Sequence, residues 1–523
     1  MFRSLLALLL SCCAAWALTP AEVVVVYNAD SPLSERTARA YCAKRGISVA
    51  QMVPLRGLKG GDISRADFDR KIMSPLLYAA DCNNWCWPTQ RRAGSRTMRA
   101  MVLMPDLPLR VKESSHVVEQ RRKKAAAIKE GKEQGKVEWT PDEAACVDSE
   151  LSLLGAQYPL HSGLQNPFFG KDADISAAKP PVMAVTRIDG PDEACIRRMV
   201  EDPVRVEREG LWGWVVVDEG GPYKQGEEMF RSVAKNTRRA YLPLFHETSK
   251  KSLADGFPLM GRTAVYFGWY EYKANGPFGP KGADFCFAPG AVAGHLHSFS
   301  CTEIKDTTCW APSLLKRGAA VTFGNVYEPF LGGCHDFGVF YERLLKGYTV
   351  AEAALMATPL ISWQEVTFGD PLYRPFAAHQ QHRAPSCDAA LWQEVARRYA
   401  GRPDAMEPMV KSQLSKPHGA LFAEALAYTC ADEGKWRMAT EYFRMAANAS
   451  SKPADKLRNT LMLITAMHLN KDAHGARDLM LRTLEETRNS PYRPAVERTA
   501  AVVIPKEWAE MKKAAEAQQQ PKK

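Results

Sequence analysis

The chain has 523 residues, of which 46% are hydrophobic, 24% charged and 9% aromatic, as is typical of soluble globular proteins. This composition excludes a disordered, fibrous or membrane-integral protein. A single core stops growing beyond roughly 250–300 residues, so several folded units should share the chain. The net charge of +10 is a modest excess at this length. We expect no nucleic-acid partner, because a dedicated binder concentrates its basic residues on one surface.

The first seventeen residues have the pattern of an export signal. Arg3 provides the positive charge, residues 5–10 the apolar stretch and residues 15–17 a small-x-small cleavage site. This stretch is too short to span a bilayer, and no later run approaches the length of a membrane helix. We therefore expect an exported protein, periplasmic or extracellular, without a transmembrane segment in the mature chain. A lipoprotein attached through Cys12 or Cys13 is the less favoured alternative.

Strand and helix patterns alternate from residue 21 to residue 376. Residues 22–28 form a β-branched run without alternation, which is typical of a parallel strand covered on both faces. A helix pattern over 34–44 and a second strand over 51–55 complete a β-α-β unit. The same alternation resumes at 182–187, so the sequence predicts two successive α/β halves with a mainly parallel sheet.

The strand patterns cease after Pro375, and the remaining chain has helical spacing. Ala439 and Ala476 occupy equivalent places in two helix pairs, 37 residues apart, which resemble tetratricopeptide-type repeats. Two such units are fewer than a stable solenoid needs, so this end should lean on the α/β body. The predicted organisation is a signal peptide (1–17), an N-terminal α/β half (21–180) with an exposed basic insertion (112–140), a C-terminal α/β half carrying the site (181–376), a helical domain (385–517) and a disordered tail (518–523).

The densest cluster of polar and aromatic residues lies in the second half, at the ends of predicted strands. It comprises residues 266–272, 294–301 and 324–330. Open α/β sheets bind their ligands at such strand ends, so we expect these segments to meet at one cleft. The residues expected to bind a ligand there are Trp269, Tyr270, Asn325, Tyr327 and Glu328. Their aromatic members suit a pocket that stacks a sugar ring or grips a peptide, but they suit a core equally well.

The order of these segments resembles a known group of enzymes. The strand ending at 266–268, the strand ending near Cys301 and the closing phrase 368–371 are distantly similar to the gingipain branch of caspase-like cysteine peptidases. The chain more closely resembles an exported bacterial family of unknown function, over roughly residues 21–376. The phrases that carry this resemblance are VDSEL (147–151), GWY (268–270), HSFS (297–300), GNVYEP (324–329) and GDPLYRPF (369–376).

The resemblance implies a caspase-like α/β body with Cys301 in the place of the nucleophile. The peptidases have a His-Gly pair where this chain has Trp269 and Tyr270, and neither an indole nor a phenol replaces imidazole as a general base near neutral pH. His295 or His297 could supply the missing base, since alternation places both on one face if the strand continues through them. In the alternative interpretation, Cys301 is a half-buried thiol or disulfide half and the histidines are satisfied polar residues.

Two further kinds of chemistry are weaker hypotheses. His295 and His297 have a spacing that could aim two imidazoles at one ion, with His335, Asp336 or Glu328 as a third ligand. The third ligand is not fixed in the sequence, so we assign no metal. The sequence has no Gly-x-Gly-x-x-Gly motif, P-loop or Gly-x-Ser-x-Gly elbow, and we expect no cofactor.

The paired carboxylates Asp218 and Glu219 follow a predicted strand and could serve a hydrolytic site, although such residues more often cap a helix or face solvent.

The leading hypothesis is an exported protein with a caspase-like α/β body that binds or processes a peptide or glycan. The cleft would bear His295, His297 and Cys301. The first alternative is a non-catalytic scaffold of the cell envelope, which recruits a protein partner through the helical domain. A metal-dependent hydrolase is the second alternative.

Overall fold

The protein has mixed α/β structure, seen in a computed structural model. The described residues are 18–87, 93–113, 115–135, 144–154, 163–175, 181–248, 262–280, 285–380 and 388–519. The predicted export signal and the last four residues of the predicted tail lie outside these ranges. Among the described helices, none has the length and apolar character needed to cross a membrane.

The strands are numbered in chain order. They are β1 (Val23–Asn28), β2 (Met52–Leu55), β3 (Gly61–Ser64), β4 (Trp85–Cys86), β5 (Arg96–Thr97), β6 (Ala100–Leu103), β7 (Pro108–Lys112), β8 (Ala145–Cys146), β9 (Leu164–Gln165), β10 (Ala184–Arg187), β11 (Trp214–Asp218), β12 (Leu244–Glu247), β13 (Thr263–Gly268), β14 (Val292–His295), β15 (Thr322–Asn325), β16 (Leu360–Ile361) and β17 (Glu365–Phe368).

The helices are numbered in the same way. They are α1 (Pro32–Arg45), α2 (Arg65–Phe68), α3 (Ser74–Cys82), α4 (Ser115–Lys129), α5 (Val147–Leu151), α6 (Glu193–Glu209), α7 (Lys224–Arg239), α8 (Trp310–Lys316), α9 (Phe337–Lys346), α10 (Val350–Ala357), α11 (Ala377–Gln380), α12 (Asp388–Arg398), α13 (Pro403–Gln413), α14 (Gly419–Asp432), α15 (Trp436–Ala449), α16 (Pro453–Leu469), α17 (Ala473–Glu486), α18 (Arg493–Val503) and α19 (Pro505–Gln519).

The described residues divide into two compact units, and each unit is built from two separate stretches of chain. Unit 1 takes residues 1–208 and 292–380, and unit 2 takes residues 209–291 and 381–523. The two units therefore interleave along the sequence. The strand expected to open the second α/β half, β10, pairs in parallel with β6 of the first half.

Unit 1 contains a six-stranded sheet in the order β15-β17-β10-β6-β1-β2. All neighbouring strands are parallel except β15, which runs antiparallel to β17, so the mainly parallel sheet expected from the sequence is present. The four valines of β1 are completely buried, as expected of a strand covered on both faces. A smaller sheet, β3-β7-β8, belongs to the same unit. Strand β14 runs parallel to the chain that leads into β15, through a bridge between Val292 and Val321.

In unit 2, strands β12, β11 and β13 lie side by side in that order and run parallel. Helices of the C-terminal segment pack against them. The ring of Tyr428 in α14 lies 4.8 Å from that of Trp214 in β11. The guanidinium of Arg458 lies 5.8 Å from the Trp214 ring and pairs with Glu424 at 2.7 Å. The helical end therefore shares a core with residues 209–291.

The two predicted helix pairs correspond to α14 with α15 and to α16 with α17. Ala439 and Ala476, which the sequence placed in equivalent positions, are both completely buried. Small residues at such places allow neighbouring helices to approach closely. Residues 388–519 also contain α12, α13, α18 and α19, so further helices flank the predicted pairs on both sides.

A buried ion pair joins the parts of unit 1 that surround the ends of β6 and β10. Arg187, at the end of β10, donates to both carboxylate oxygens of Asp148 in α5, with N–O distances of 3.2 Å and 2.5 Å. It also donates to the carbonyl oxygens of Leu107 and Pro108, at 3.0 Å and 2.8 Å. Arg187 is completely buried. These partners therefore stabilise the positive charge of Arg187, as water would at the surface.

Removal of Asp148 should lower the stability of the protein. In the Asp148→Ala variant the guanidinium of Arg187 stays buried without its carboxylate, and the free energy of unfolding should fall by about 3–5 kcal/mol. The double variant Arg187→Met with Asp148→Leu should lose less, because neither charge of the pair is then left buried without the other. Glu35→Ala, which removes a surface partner of Arg39, is the control and should cost about 0–1 kcal/mol. Urea denaturation measures each value, and equal losses for Asp148→Ala and Glu35→Ala would contradict this account.

Candidate functional site

The eight residues predicted for the site fall in both units. Trp269 and Tyr270 belong to unit 2, and the other six belong to unit 1. The two groups are therefore described separately.

Cys301 is completely buried in unit 1. Its backbone N–H donates to the carbonyl oxygen of Asn325 at 3.0 Å, and a Cβ atom on Gly324 would overlap the Cys301 side chain. Burial, with a smaller contribution from Cys309, raises the pKa of the Cys301 thiol far above its ordinary value. At neutral pH the thiol is protonated and shielded from solvent, which disfavours a nucleophilic role.

The two histidines are buried next to different partners. His295 stacks on Trp310, with ring centres 3.5 Å apart and an interplanar angle of 8°. Burial, together with His297, lowers the pKa of His295 well below its ordinary value, so its ring is neutral. The Nδ1 atom of His297 lies 2.5 Å from the carbonyl oxygen of Ser298. Strand β14 ends at His295, so strand alternation does not carry through to His297.

The remaining unit 1 residues bind the loop that contains His297. Asn325 donates to the carbonyl oxygen of His297 at 2.9 Å, and Glu328 accepts a 2.8 Å hydrogen bond from the Ser298 hydroxyl. The Tyr327 ring packs edge-on against Phe299, 5.1 Å away. The segments HSFS and GNVYEP are therefore bound to each other, and the second of them begins at the end of β15.

Metal ligation is not supported by these positions. His335 hydrogen-bonds Thr367 at 3.1 Å, and Asp336 caps α9 through Val339. Within the described ranges, no group of three or more histidine, cysteine, aspartate or glutamate side chains is placed to hold a metal ion. We therefore assign no residue to a metal.

Trp269 and Tyr270 differ in exposure. Trp269 is buried, and its indole N–H donates to a Glu227 carboxylate oxygen at 2.7 Å. Tyr270 is 40% exposed and packs edge-on against Tyr223. Of this pair, only Tyr270 presents substantial surface to solvent. Asp218, which the sequence offered as one of two paired carboxylates, is almost completely buried at the end of β11.

A cleft of about 360 Å³ lies at the carboxyl edge of the unit 1 sheet. Two of its residues, Asp106 and Asp189, follow the adjacent strands β6 and β10. Open α/β sheets usually bind their ligands outside the carboxyl ends of the strands. The lining residues are Gly60, Gly61, Asp62, Asp106, Leu107, Leu109, Arg110, Asp189, Thr302, Glu303, Ile304 and Lys305.

Asp106 follows β6 and enters the cleft from a left-handed backbone conformation, with φ of 62°. Asn28, at the end of β1, donates to its carbonyl oxygen at 2.9 Å and so fixes this turn. One carboxylate oxygen of Asp106 accepts a 2.6 Å hydrogen bond from the Ser31 hydroxyl. The ammonium group of Lys305 lies 3.9 Å from the other oxygen. These partners hold the carboxylate in place.

Asp189 follows the adjacent strand, β10, and is almost completely buried in the cleft wall. Burial raises its pKa to about 7, and the negative charge of Asp106 acts in the same direction. The Arg187 guanidinium, which lies 3.9 Å from the Asp189 carboxyl group, opposes this rise in pKa. The hydrogen bond that Asp189 accepts from the Gly190 N–H also opposes it. The carboxyl group can therefore hold or release a proton near neutral pH, as a general acid or base must.

A second pair of charges fixes the opposite wall. Arg110 donates to Asp62 at 2.7 Å and to the carbonyl oxygen of Val326 at 3.4 Å. Burial acts to raise the pKa of Asp62, but Arg110 and Lys112 outweigh it and lower the pKa below its ordinary value. The cleft thus contains two carboxyl groups whose pKa values are shifted in opposite directions. Asp62, with a lowered pKa, is ionised, and Asp189, with a raised pKa, can carry a proton.

Sequence reasoning missed this cleft, although a signal was present. Asp106 and Asp189 each follow a largely buried strand within three residues, and Asp218 drew attention because of a similar position at a strand end. Thr302 lines the cleft directly after Cys301, so the predicted Cys301 loop does border this site.

Comparison of the chain with protein-family models, with curated proteins and with solved structures gave no match. The functional argument therefore depends on the geometry of the residues.

The raised pKa of Asp189 predicts a pH-dependent stability. Between about pH 4, where an unfolded aspartate ionises, and about pH 7, the native state holds a proton that the unfolded state has lost. Stability should therefore fall as pH rises through this window. Asp189→Asn should flatten the dependence and raise the free energy of unfolding at pH 8, by up to about 1.4 kcal/mol for each unit of pKa shift.

Asp62→Asn is the matched control in the same cleft. Its folded pKa is lowered, so the stability contributed by Asp62 is present at neutral pH and is lost on acidification. The two variants should change stability at pH 8 in opposite directions in denaturant titrations. The same direction for both would count against the assignment.

Proposed function

We propose that this protein is a hydrolase that binds a peptide or glycan in the carboxyl-edge cleft of unit 1 and cleaves it by general acid–base catalysis. Asp189 is the acid and Asp106 is the base. The observation that carries the proposal is the Asp189 pKa of about 7 in a cleft that contains a second carboxyl group. Carboxyl groups whose environments separate their pKa values commonly divide the acid and base roles in hydrolases.

The proposed reaction needs water as the only co-reactant. The Asp106 carboxylate takes a proton from a water molecule while the water oxygen bonds to the carbon of the scissile bond. Protonated Asp189 gives its proton to the leaving nitrogen or oxygen as that bond breaks. Lys305 stabilises the charge of Asp106, and burial keeps the proton on Asp189 up to about neutral pH.

This assignment replaces the thiol mechanism that the peptidase resemblance implied. Cys301 is buried with a raised pKa, and His295 is neutral and stacked on Trp310. Asp106 and Asp189 instead line open space. The proposed cleft borders the Cys301 loop through Thr302, but different chemical groups would perform the reaction.

We further propose a caspase-like arrangement of the α/β body and a tetratricopeptide-like arrangement of the helical end. The parallel sheet supports the first. The starts of α14 and α16 at Gly419 and Pro453, 34 residues apart, support the second, because this is the period of tetratricopeptide repeats. An exported location, periplasmic or extracellular, is part of the proposal and is supported by the pattern of residues 1–17.

The hydrolase proposal is tested by incubating the full-length protein with a casein peptide digest, chitohexaose and cellohexaose. Mass spectrometry would follow the products. We expect cleavage of one class, with a rate that falls above about pH 7 as Asp189 loses its proton. Asp189→Asn and Asp106→Asn should each slow the reaction by about 10²-fold or more. Asp81→Asn, at an exposed position of unit 1, should leave the rate unchanged. Cleavage of nothing in the panel, or wild-type rates in both cleft variants, would sink the proposal.

A second candidate function, recruitment of a protein partner, is favoured by a crevice of about 350 Å³ in unit 2. Trp392, Leu244 and Met406 line its apolar part. At its rim Arg238 pairs with Asp432 through two N–O contacts of 2.7 Å and 2.6 Å. An apolar floor with a charged rim is typical of a site that takes one anchoring side chain.

A photo-crosslinking residue in place of Ala400, which lines this crevice, tests the recruitment hypothesis. The full-length protein would be irradiated in extracts of the producing cells. A single protein should be captured from Ala400 and not from the exposed position Lys471. Equal capture from both positions would argue against a docking role for the crevice.

A further inference from the structure

Unit 2 exposes three tyrosine side chains near the residues that the sequence singled out. The exposed fractions are 52% for Tyr223, 40% for Tyr270 and 62% for Tyr272. The rings of Tyr223 and Tyr270 lie 6.0 Å apart at an angle of 86°. Single exposed aromatic residues are common, but adjacent rings in a fixed geometry indicate a binding surface.

The Tyr223–Tyr270 pair is supported from behind by Trp269. The indole ring lies 6.3 Å from the Tyr223 ring and 6.0 Å from the Tyr270 ring. Its N–H donates to Glu227, which also accepts a 2.7 Å hydrogen bond from the backbone N–H of Gly221. The buried indole thus has a fixed position against which both tyrosines pack.

The local sequence provides the space for this indole. A Cβ atom on Gly221 or on Gly226 would overlap the Trp269 ring, so both positions require glycine. Phe230 covers the ring from one helical turn further on, with ring centres 5.4 Å apart. The surface pair is therefore pre-organised, and a ligand would bind it with little ordering of side chains.

We propose that the Tyr223–Tyr270 pair is a carbohydrate-binding site, which stacks one hexose ring of a neutral oligosaccharide on a tyrosine face. The flat C–H face of a sugar can bury apolar area on such a ring. Its hydroxyl groups need polar partners at the edge, and the hydroxyl groups of the two tyrosines can serve as such partners. This inference goes beyond the proposed hydrolase and does not depend on it.

The ring geometry favours a sugar over a proline-rich peptide. Such peptides dock as extended polyproline II helices into aromatic-lined grooves. Tyr223 and Tyr270 are nearly perpendicular, so the two rings form a corner and not an extended groove. A corner of this shape fits one flat ring.

Isothermal titration of the full-length protein with chitohexaose and cellohexaose tests the inference, with decaproline as the peptide probe. We expect saturable binding of at least one oligosaccharide and none of decaproline. Tyr223→Ala or Tyr270→Ala should weaken binding about tenfold, since each removes ring area of roughly 50 Å² from contact. Tyr223→Phe and Tyr270→Phe keep the ring and should stay within about threefold of the original affinity.

Tyr78→Ala, which removes a 72% exposed ring from unit 1, is the matched control and should bind normally. Asp189→Asn should also bind normally, which separates this site from the proposed catalytic cleft. Thermal unfolding of the alanine variants would establish that they fold. The inference is overturned if neither oligosaccharide binds, if folded Tyr223→Ala and Tyr270→Ala bind as tightly as the original protein, or if decaproline is the ligand that binds.

Discussion

The buried pair of Arg187 and Asp148 is the interaction on which the rest of unit 1 depends. A guanidinium with no exposed surface must find its partners within the protein, and it finds them in α5 and in the carbonyl groups of Leu107 and Pro108. These contacts fix the chain where β6 and β10 end. The same guanidinium lies 3.9 Å from Asp189 and limits how far burial can raise the pKa of that carboxyl group. The charge of Arg187 thus contributes both to the packing around β6 and β10 and to the pKa of the proposed catalytic acid.

The phrases that carried the family resemblance are mostly structural in this protein. Asp370 of the closing phrase is completely buried and accepts hydrogen bonds from the Tyr41 hydroxyl and the Arg45 guanidinium. Asp148 of the phrase VDSEL holds Arg187, and Asn325 of GNVYEP holds the His297 loop. A buried polar group needs particular partners, so it restricts the sequence as strongly as a catalytic group does. A distinctive motif therefore does not by itself identify the chemistry.

The local elements could be predicted and the site could not. The helix expected over residues 34–44 coincides with α1, and the buried valine run became β1, because periodicity depends on near neighbours. Asp106 and Asp189 are far apart in sequence and meet only because β6 and β10 are adjacent in the sheet. No local pattern encodes that adjacency. The interleaving of the two units was hidden for the same reason, since it depends on which distant segments share a core.

Because unit 2 is assembled from two stretches of chain, it can finish folding only after the second stretch has been synthesised. Residues 209–291 leave the ribosome before the remainder of unit 1, and the helices that cover Trp214, α14 and α16, follow only after that remainder. Until then β11 and its neighbours present uncovered apolar side chains, a state in which chains tend to aggregate. Helices synthesised after residue 380 therefore protect an earlier segment, and a chain truncated before them would leave that segment without its cover.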